Sequence, residues 1–145
     1  MIAIDTNILV YSHREDSLFH RVAFQKMKDL AESREDWSIP WPCLYEFLGI
    51  TTHPRIYKDP TPLKKACEQI QAWLDCPNLY LLGYPQKENW KEIQDLFLKT
   101  NLTGPKVHDA KIAMICLNHN IKVLWTADRD FSRCKWLETT NPLLD

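Results

Sequence analysis

Four acidic residues are set where chemistry is plausible: Asp5, Glu46, Asp109 and Asp128. Asp5 ends the apolar run Ile2-Ala3-Ile4, and Asp128 follows Val123-Leu124-Trp125-Thr126-Ala127. Both runs read as buried parallel strands, so both acids fall at strand carboxyl ends. Glu46 lies in the first turns of a helix that opens at Pro42, and Asp109 in the first turn of one that opens near Lys106. The dipole of that second helix favours the ionised form of Asp109. Two ionised carboxylates about 4 Å apart repel by roughly 4 kcal/mol at an effective dielectric near 20. If the four converge, they call for protonation, a basic partner or a cation. Oxygen-only ligands select a hard divalent ion, Mg²⁺ or Mn²⁺. Each acid also has an ordinary explanation: Asp5 as a turn former or helix cap, Glu46 as a solvated helix residue, Asp109 as a dipole partner, and Asp128-Arg129-Asp130 as a surface turn. Joint placement on one rim favours the chemical reading.

The elements that would position these acids follow from hydrophobic spacing. Strands are expected at residues 1–4, 38–40, 79–82 and 121–125, with a last short one near Trp136-Leu137. Helices are expected after an Asp16 or Ser17 cap, with Phe19, Val22, Ala23, Met27 and Leu30 inward. Others should start at Pro42, at Thr61 as a cap before Pro62, at Lys87 with Trp90, Ile93 and Phe97 inward, and at Lys106 through Asn118. Strands alternating with helices predict a three-layer α/β/α sandwich with a mostly parallel sheet of about five strands, in one domain spanning residues 1–145. Right-handed crossovers put all strand carboxyl ends on one edge, where such sheets take ligands.

Composition narrows the function classes. The 145 residues carry 18 basic and 19 acidic side chains, with 45% hydrophobic content. The 3 glycines, Gly49, Gly83 and Gly104, fit no phosphate-cradling loop and no nucleophile elbow. The opening residues lack the basic and long apolar regions of a secretion signal, and no run approaches a spanning helix. The 5 cysteines show neither C-x-x-C nor zinc spacing. Free thiols in a reducing cytoplasm are the expectation, without membrane association. His13, His20, His53 and His119 show no metal spacing, and His108 reads as a surface helix residue, with phosphate contact as its alternative. No dense basic patch is present. Arg14, Arg55, Lys58, Lys106, Arg129, Arg133 and Lys135 are the candidates for phosphate contact. The 6 tryptophans read as core and edge residues rather than a stacking platform, with Trp37 and Trp41, which bracket a strand near the rim, as the exceptions.

Ile2-Ala3-Ile4-Asp5-Thr6-Asn7, the Glu46 of Cys43-Leu44-Tyr45-Glu46-Phe47, Val107-His108-Asp109-Ala110-Lys111, and Thr126-Ala127-Asp128-Arg129-Asp130-Phe131 together resemble the motifs of the PIN-domain family. The resemblance is nearest to the VapC-type ribonuclease toxins of toxin–antitoxin pairs. It implies a five-stranded parallel sheet between helices, a homodimer, and Mg²⁺- or Mn²⁺-dependent cleavage of RNA with one or two ions per site. Asp5, Glu46, Asp109 and Asp128 match the family's acidic positions, and Asn7 and Thr126 match polar positions that orient the site. Asp128 and Asp130 both remain available as the fourth acid. An antitoxin protein partner is implied as well. Hydrolysis by water attacking in line would leave a 5′-phosphate and a 3′-hydroxyl. Two other readings are a PIN-like domain that only binds RNA or protein, and an aspartyl-phosphate phosphatase with Asp5 as nucleophile. The second would want an Asp where Asn7 stands.

Overall fold

A computed structural model describes residues 1–129, 131 and 134–144. Asp130 and Arg133, both considered above, lie outside the described residues. Five short strands form one sheet: β1 (Ile2–Ile4), β2 (Trp37–Pro40), β3 (Leu79–Leu82), β4 (Val123–Trp125) and β5 (Glu138–Thr140). Their order is β3-β2-β1-β4-β5 and every pair is parallel. β1 reads as an unbroken apolar run, and β2 departs from one only at Ser38, because both faces of the sheet centre are covered. Ala3, Ile4, Trp37 and Ile39 are fully buried, and the buried Ser38 hydroxyl donates to the Ile2 carbonyl.

The helices are α1 (Thr6–His13), α2 (His20–Glu32), α3 (Trp41–Thr51), α4 (Leu63–Leu74), α5 (Trp90–Thr100), α6 (Lys106–Asp109) and α7 (Lys111–Asn118). The chain steps from β1 to β2 to β3 in one direction, so right-handed crossovers put α1–α4 over one face. It then returns past the centre to β4, which puts α5–α7 over the other. Phe47 of α3 ties the first layer together, with its ring 4.9 Å from Trp73 of α4 and 5.2 Å from His13 of α1.

Several expectations at the element level are corrected. α1 starts directly after β1, where no helix is expected. Its residues Ile8, Leu9 and Val10 are all buried, so it lacks the polar stripe by which a surface helix is recognised. α2 begins at His20, because Asp16 is paired with Arg14 and the Ser17 hydroxyl accepts from the Phe19 N–H. Thr61 does not cap α4. Its hydroxyl meets His13 and Arg14, and Pro62 holds the cap position. Trp90 is largely exposed, and the inward side of α5 is Ile93 packed with Ala110 and Met114. The expected helix from Lys106 to Asn118 is interrupted at Ala110. The last strand begins at Glu138, just past Trp136-Leu137.

Candidate active site

The strand order reverses at β1, whose neighbours are β2 on one side and β4 on the other. The crevice beyond the carboxyl ends of β1 and β4 is therefore the place where such sheets take ligands. Asp5 stands there. Its backbone N–H donates to the Trp125 carbonyl, which extends the β1–β4 ladder by one residue. With φ −80° and ψ 160° it also caps α1, Oδ1 accepting from the Thr6 N–H at 2.8 Å. The capping and the chemical readings of Asp5 are thus compatible. The Cys43 thiol lies 3.8 Å from the same oxygen, and Oδ2 accepts from the Thr126 hydroxyl at 2.7 Å.

Thr126 is the junction of the polar network. Its Oγ1 donates to Asp5 and accepts from Asn7 Nδ2 at 3.2 Å and from the Asp128 N–H at 3.0 Å. Asn7 Oδ1 accepts from the Ala127 N–H at 3.0 Å. Asn7 and Thr126 therefore clamp the loop that carries Asp128 onto the start of α1. Glu46 enters from α3. Its Oε2 accepts from the Thr6 hydroxyl at 2.7 Å, and its Oε1 lies 3.9 Å from Lys111 Nζ. That ion pair joins a helix of one layer to a helix of the other across the sheet edge.

Asp5, Glu46, Asp109 and Asp128 all line one cleft of about 200 Å³, together with His108, Ile112 and Phe131. Asp5 is almost wholly buried, whereas the other three acids are exposed. Burial pushes the Asp5 carboxyl above its ordinary value. The hydrogen bonds from Thr126 and Thr6 pull it down, and the charges of Glu46 and Asp128 push it up again. A buried carboxylate with like charges facing it is stabilised by a cation, and an all-oxygen donor set suits Mg²⁺ or Mn²⁺ in kind. Among the described residues, no three His, Cys, Asp or Glu side chains are close enough together to hold an ion as they stand. The Lys111 ammonium is the cation that faces Glu46 in this arrangement.

The remaining site candidates divide by helix direction. α3 leaves the rim and runs 11 residues away from it, about 16 Å, so the loop with Arg55 and Lys58 lies at its far end. Arg14 sits at the far end of α1. It forms a bidentate pair with Asp16, donates to the Asp59 carbonyl and Thr61, and covers the Tyr57 ring at 3.9 Å. Arg14 and Arg55 are therefore held away from the cleft. Lys106 and Arg129 are exposed beside Asp109 and Asp128, and Arg129 and Lys135 line an adjoining pocket of about 370 Å³. Sequence reading overlooked Thr6, Cys43 and Lys111. Spacing carries a signal for Cys43, three before Glu46 on α3, but not for Lys111, which two residues past Asp109 would lie on the opposite side of an unbroken helix.

The PIN-domain profile matches residues 2–137. The chain belongs to the PIN-domain family. Among curated relatives, the VapC ribonuclease Mb2897 of Mycobacterium bovis is 30% identical over 143 residues, 99% of this chain and 96% of the relative. Ribonuclease VapC31 of Mycobacterium tuberculosis is 27% identical over 133 residues, 92% of each chain. Among solved structures, VapBC2 of Rickettsia felis bound to a promoter DNA fragment superposes with TM-score 0.64 at 20% identity, covering 97% of this chain and 98% of that one. VapC20 of Mycobacterium tuberculosis, described as a Sarcin-Ricin loop cleaving toxin, superposes with TM-score 0.65 at 14% identity, covering 97% and 100%. The five-stranded parallel sheet of this PIN domain agrees with both.

Proposed function

We propose that this PIN domain is a divalent-cation-dependent endoribonuclease, the toxin of a toxin–antitoxin pair, with residues 1–145 forming one nuclease domain. The observation that carries the reading is the gathering of Asp5, Glu46, Asp109 and Asp128 along one cleft at the β1/β4 crevice. The ribonuclease names of its curated relatives support the same substrate class.

Asp5 and Asp109, completed by Glu46 and Asp128, would hold one or two Mg²⁺ or Mn²⁺ ions, with Asp130 as the alternative to Asp128. When bound, the ion supplies hydroxide near neutral pH and offsets charge on the phosphate oxygens. Asp5 is the fixed member, since Thr6, Cys43 and Thr126 hold its two oxygens in place. Oδ2 accepts one hydrogen bond and keeps a lone pair for ligation, whereas Oδ1 takes both the Thr6 N–H and the Cys43 thiol. Glu46 or Asp128 orients the attacking water and takes its proton. Lys106 and Arg129 take neighbouring phosphates, which gives affinity without base selectivity and weakens it as salt rises.

The proposed partners are RNA, a second copy of the chain, and an antitoxin protein. The likeness to a VapBC complex supports the last. The five free cysteines fit the cytoplasm. Single-stranded RNA incubated with the purified protein and Mn²⁺ or Mg²⁺ tests the reading. Cleavage leaving 5′-phosphate ends, its loss on adding a chelator, and a fall of about a hundredfold in Asp5→Asn are expected. Undiminished cleavage by Asp5→Asn, or cleavage that survives the chelator, refutes it.

A further inference from the structure

Beside the acidic cleft, the rim carries an exposed aromatic pair. Trp41 is the first residue of α3 and Tyr45 lies one turn later, so the two side chains share a helix face. Their rings stack, with centroids 6.0 Å apart and 29° between planes. Tyr45 is 62% exposed and Trp41 38%. The core does not use either ring, because α3 turns Pro42, Cys43, Leu44 and Phe47 inward.

Position links the pair to the cleft. Trp41 follows the last residue of β2, which runs parallel to β1 with Ala3 opposite Ser38, so Trp41 leaves the same sheet edge as Asp5. Tyr45 immediately precedes Glu46, whose side chain lines the cleft. One turn on, Gly49 has open space where a Cβ would point. The exposed neighbours of the pair on α3 are thus a carboxylate and a glycine rather than aliphatic side chains. A protein-docking face wants a contiguous apolar patch, whereas a nucleobase needs only an aromatic plane.

We propose that Trp41 and Tyr45 form a platform on which an unpaired nucleobase of RNA stacks, next to the phosphodiester held in the cleft. The inference rests on the nuclease reading of that cleft and deepens it. A base in a duplex is already stacked on both sides, so the platform selects a substrate that is single-stranded at this point. The rings are stacked before RNA arrives, so little side-chain ordering opposes binding. Stacking accepts any base, so the pair contributes affinity and strand-type selectivity more than sequence readout.

The test is binding of a fluorescently labelled single-stranded oligoribonucleotide in EDTA, where it stays intact, followed by cleavage with Mn²⁺. Tyr45→Ala and Trp41→Ala are expected to weaken binding about tenfold each, while Tyr45→Phe and Trp41→Phe, which keep a ring, stay within about twofold of the wild type. An oligoribonucleotide with an abasic nucleotide at the platform should lose affinity for the wild type but not for Tyr45→Ala. In cleavage, KM should rise more than kcat falls. If the wild type cleaves RNA and the folded Ala variants bind it equally well, the platform is overturned and the nuclease reading stands. Equal binding together with loss of a wild-type dimer in the Ala variants reassigns this face to a protein contact. A wild type that neither binds nor cleaves RNA overturns both.

Discussion

Thr126 and Asp5 carry the most closely specified chemistry at the residue scale. The Thr126 hydroxyl serves Asp5, Asn7 and Asp128 at once. Thr126→Val removes it at nearly constant volume and leaves the Asn7 amide and the Asp128 N–H without that acceptor. The expected cost is about 1–3 kcal/mol in denaturant unfolding, together with a loss of RNA cleavage that Thr126→Ser restores. Asp5 makes the cation-free fold sensitive to pH. Its carboxyl is raised above 3.8 chiefly by burial, so between that value and its folded value the native state binds more protons than the unfolded chain. Its contribution to stability therefore falls as pH rises from 3.8 through the folded value. Unfolding in EDTA across this range, compared with Asp5→Asn, isolates the slope. A contribution that grows with pH would contradict the burial account.

Packing at the element scale decides which helices hold the acids. Phe47 lies one residue past Glu46, about 100° round the helix, and is fully buried between His13 of α1 and Trp73 of α4. Phe47→Ala should destabilise by about 3–5 kcal/mol and should impair cleavage even where the protein stays folded, because α3 loses the anchor that fixes Glu46. Denaturant unfolding and an activity assay below the unfolding transition check both halves. The interruption at Ala110 sets Asp109 on a separate turn ahead of α7, while Lys111 projects from α7 to Glu46. A continuous helix from Lys106 would place residues 109 and 111 about 200° apart around one axis. The break relaxes that constraint, and both side chains reach the rim.

The whole molecule gathers like charges at one edge of a sheet with nearly balanced total charge, 18 basic against 19 acidic. Repulsion is therefore local, and so is the remedy. A cation that binds only the native cleft should stabilise the fold by about 2.7 kcal/mol at a hundredfold excess over its Kd. For a chain of this size that is a rise of about 5–10 °C in Tm. Thermal unfolding with EDTA and then with Mn²⁺ measures the shift, which should vanish in Asp5→Asn. An unchanged Tm at millimolar Mn²⁺ in the wild type would count against a shared ion.

The chain alone determined the chemical kinds and the local elements. Ile2-Ala3-Ile4-Asp5 is legible as a buried strand with a carboxylate at its end, and the same logic marks Val123–Trp125 before Thr126 and Asp128. These readings work because burial on both sheet faces imposes an apolar run, and a strand end leaves room for a polar side chain. α1 was not legible, because a helix with Ile8, Leu9 and Val10 buried in succession and no exposed residue lacks the polar stripe that reveals one. Only the tertiary structure decided that β4 pairs with β1, bringing the Thr126 hydroxyl to a carboxylate 121 residues earlier. It also decided that α3 carries Arg55 away from the rim while Lys111 turns toward Glu46. Periodicity is a short-range property, whereas strand order follows from which pairing buries both layers of helices with right-handed connections.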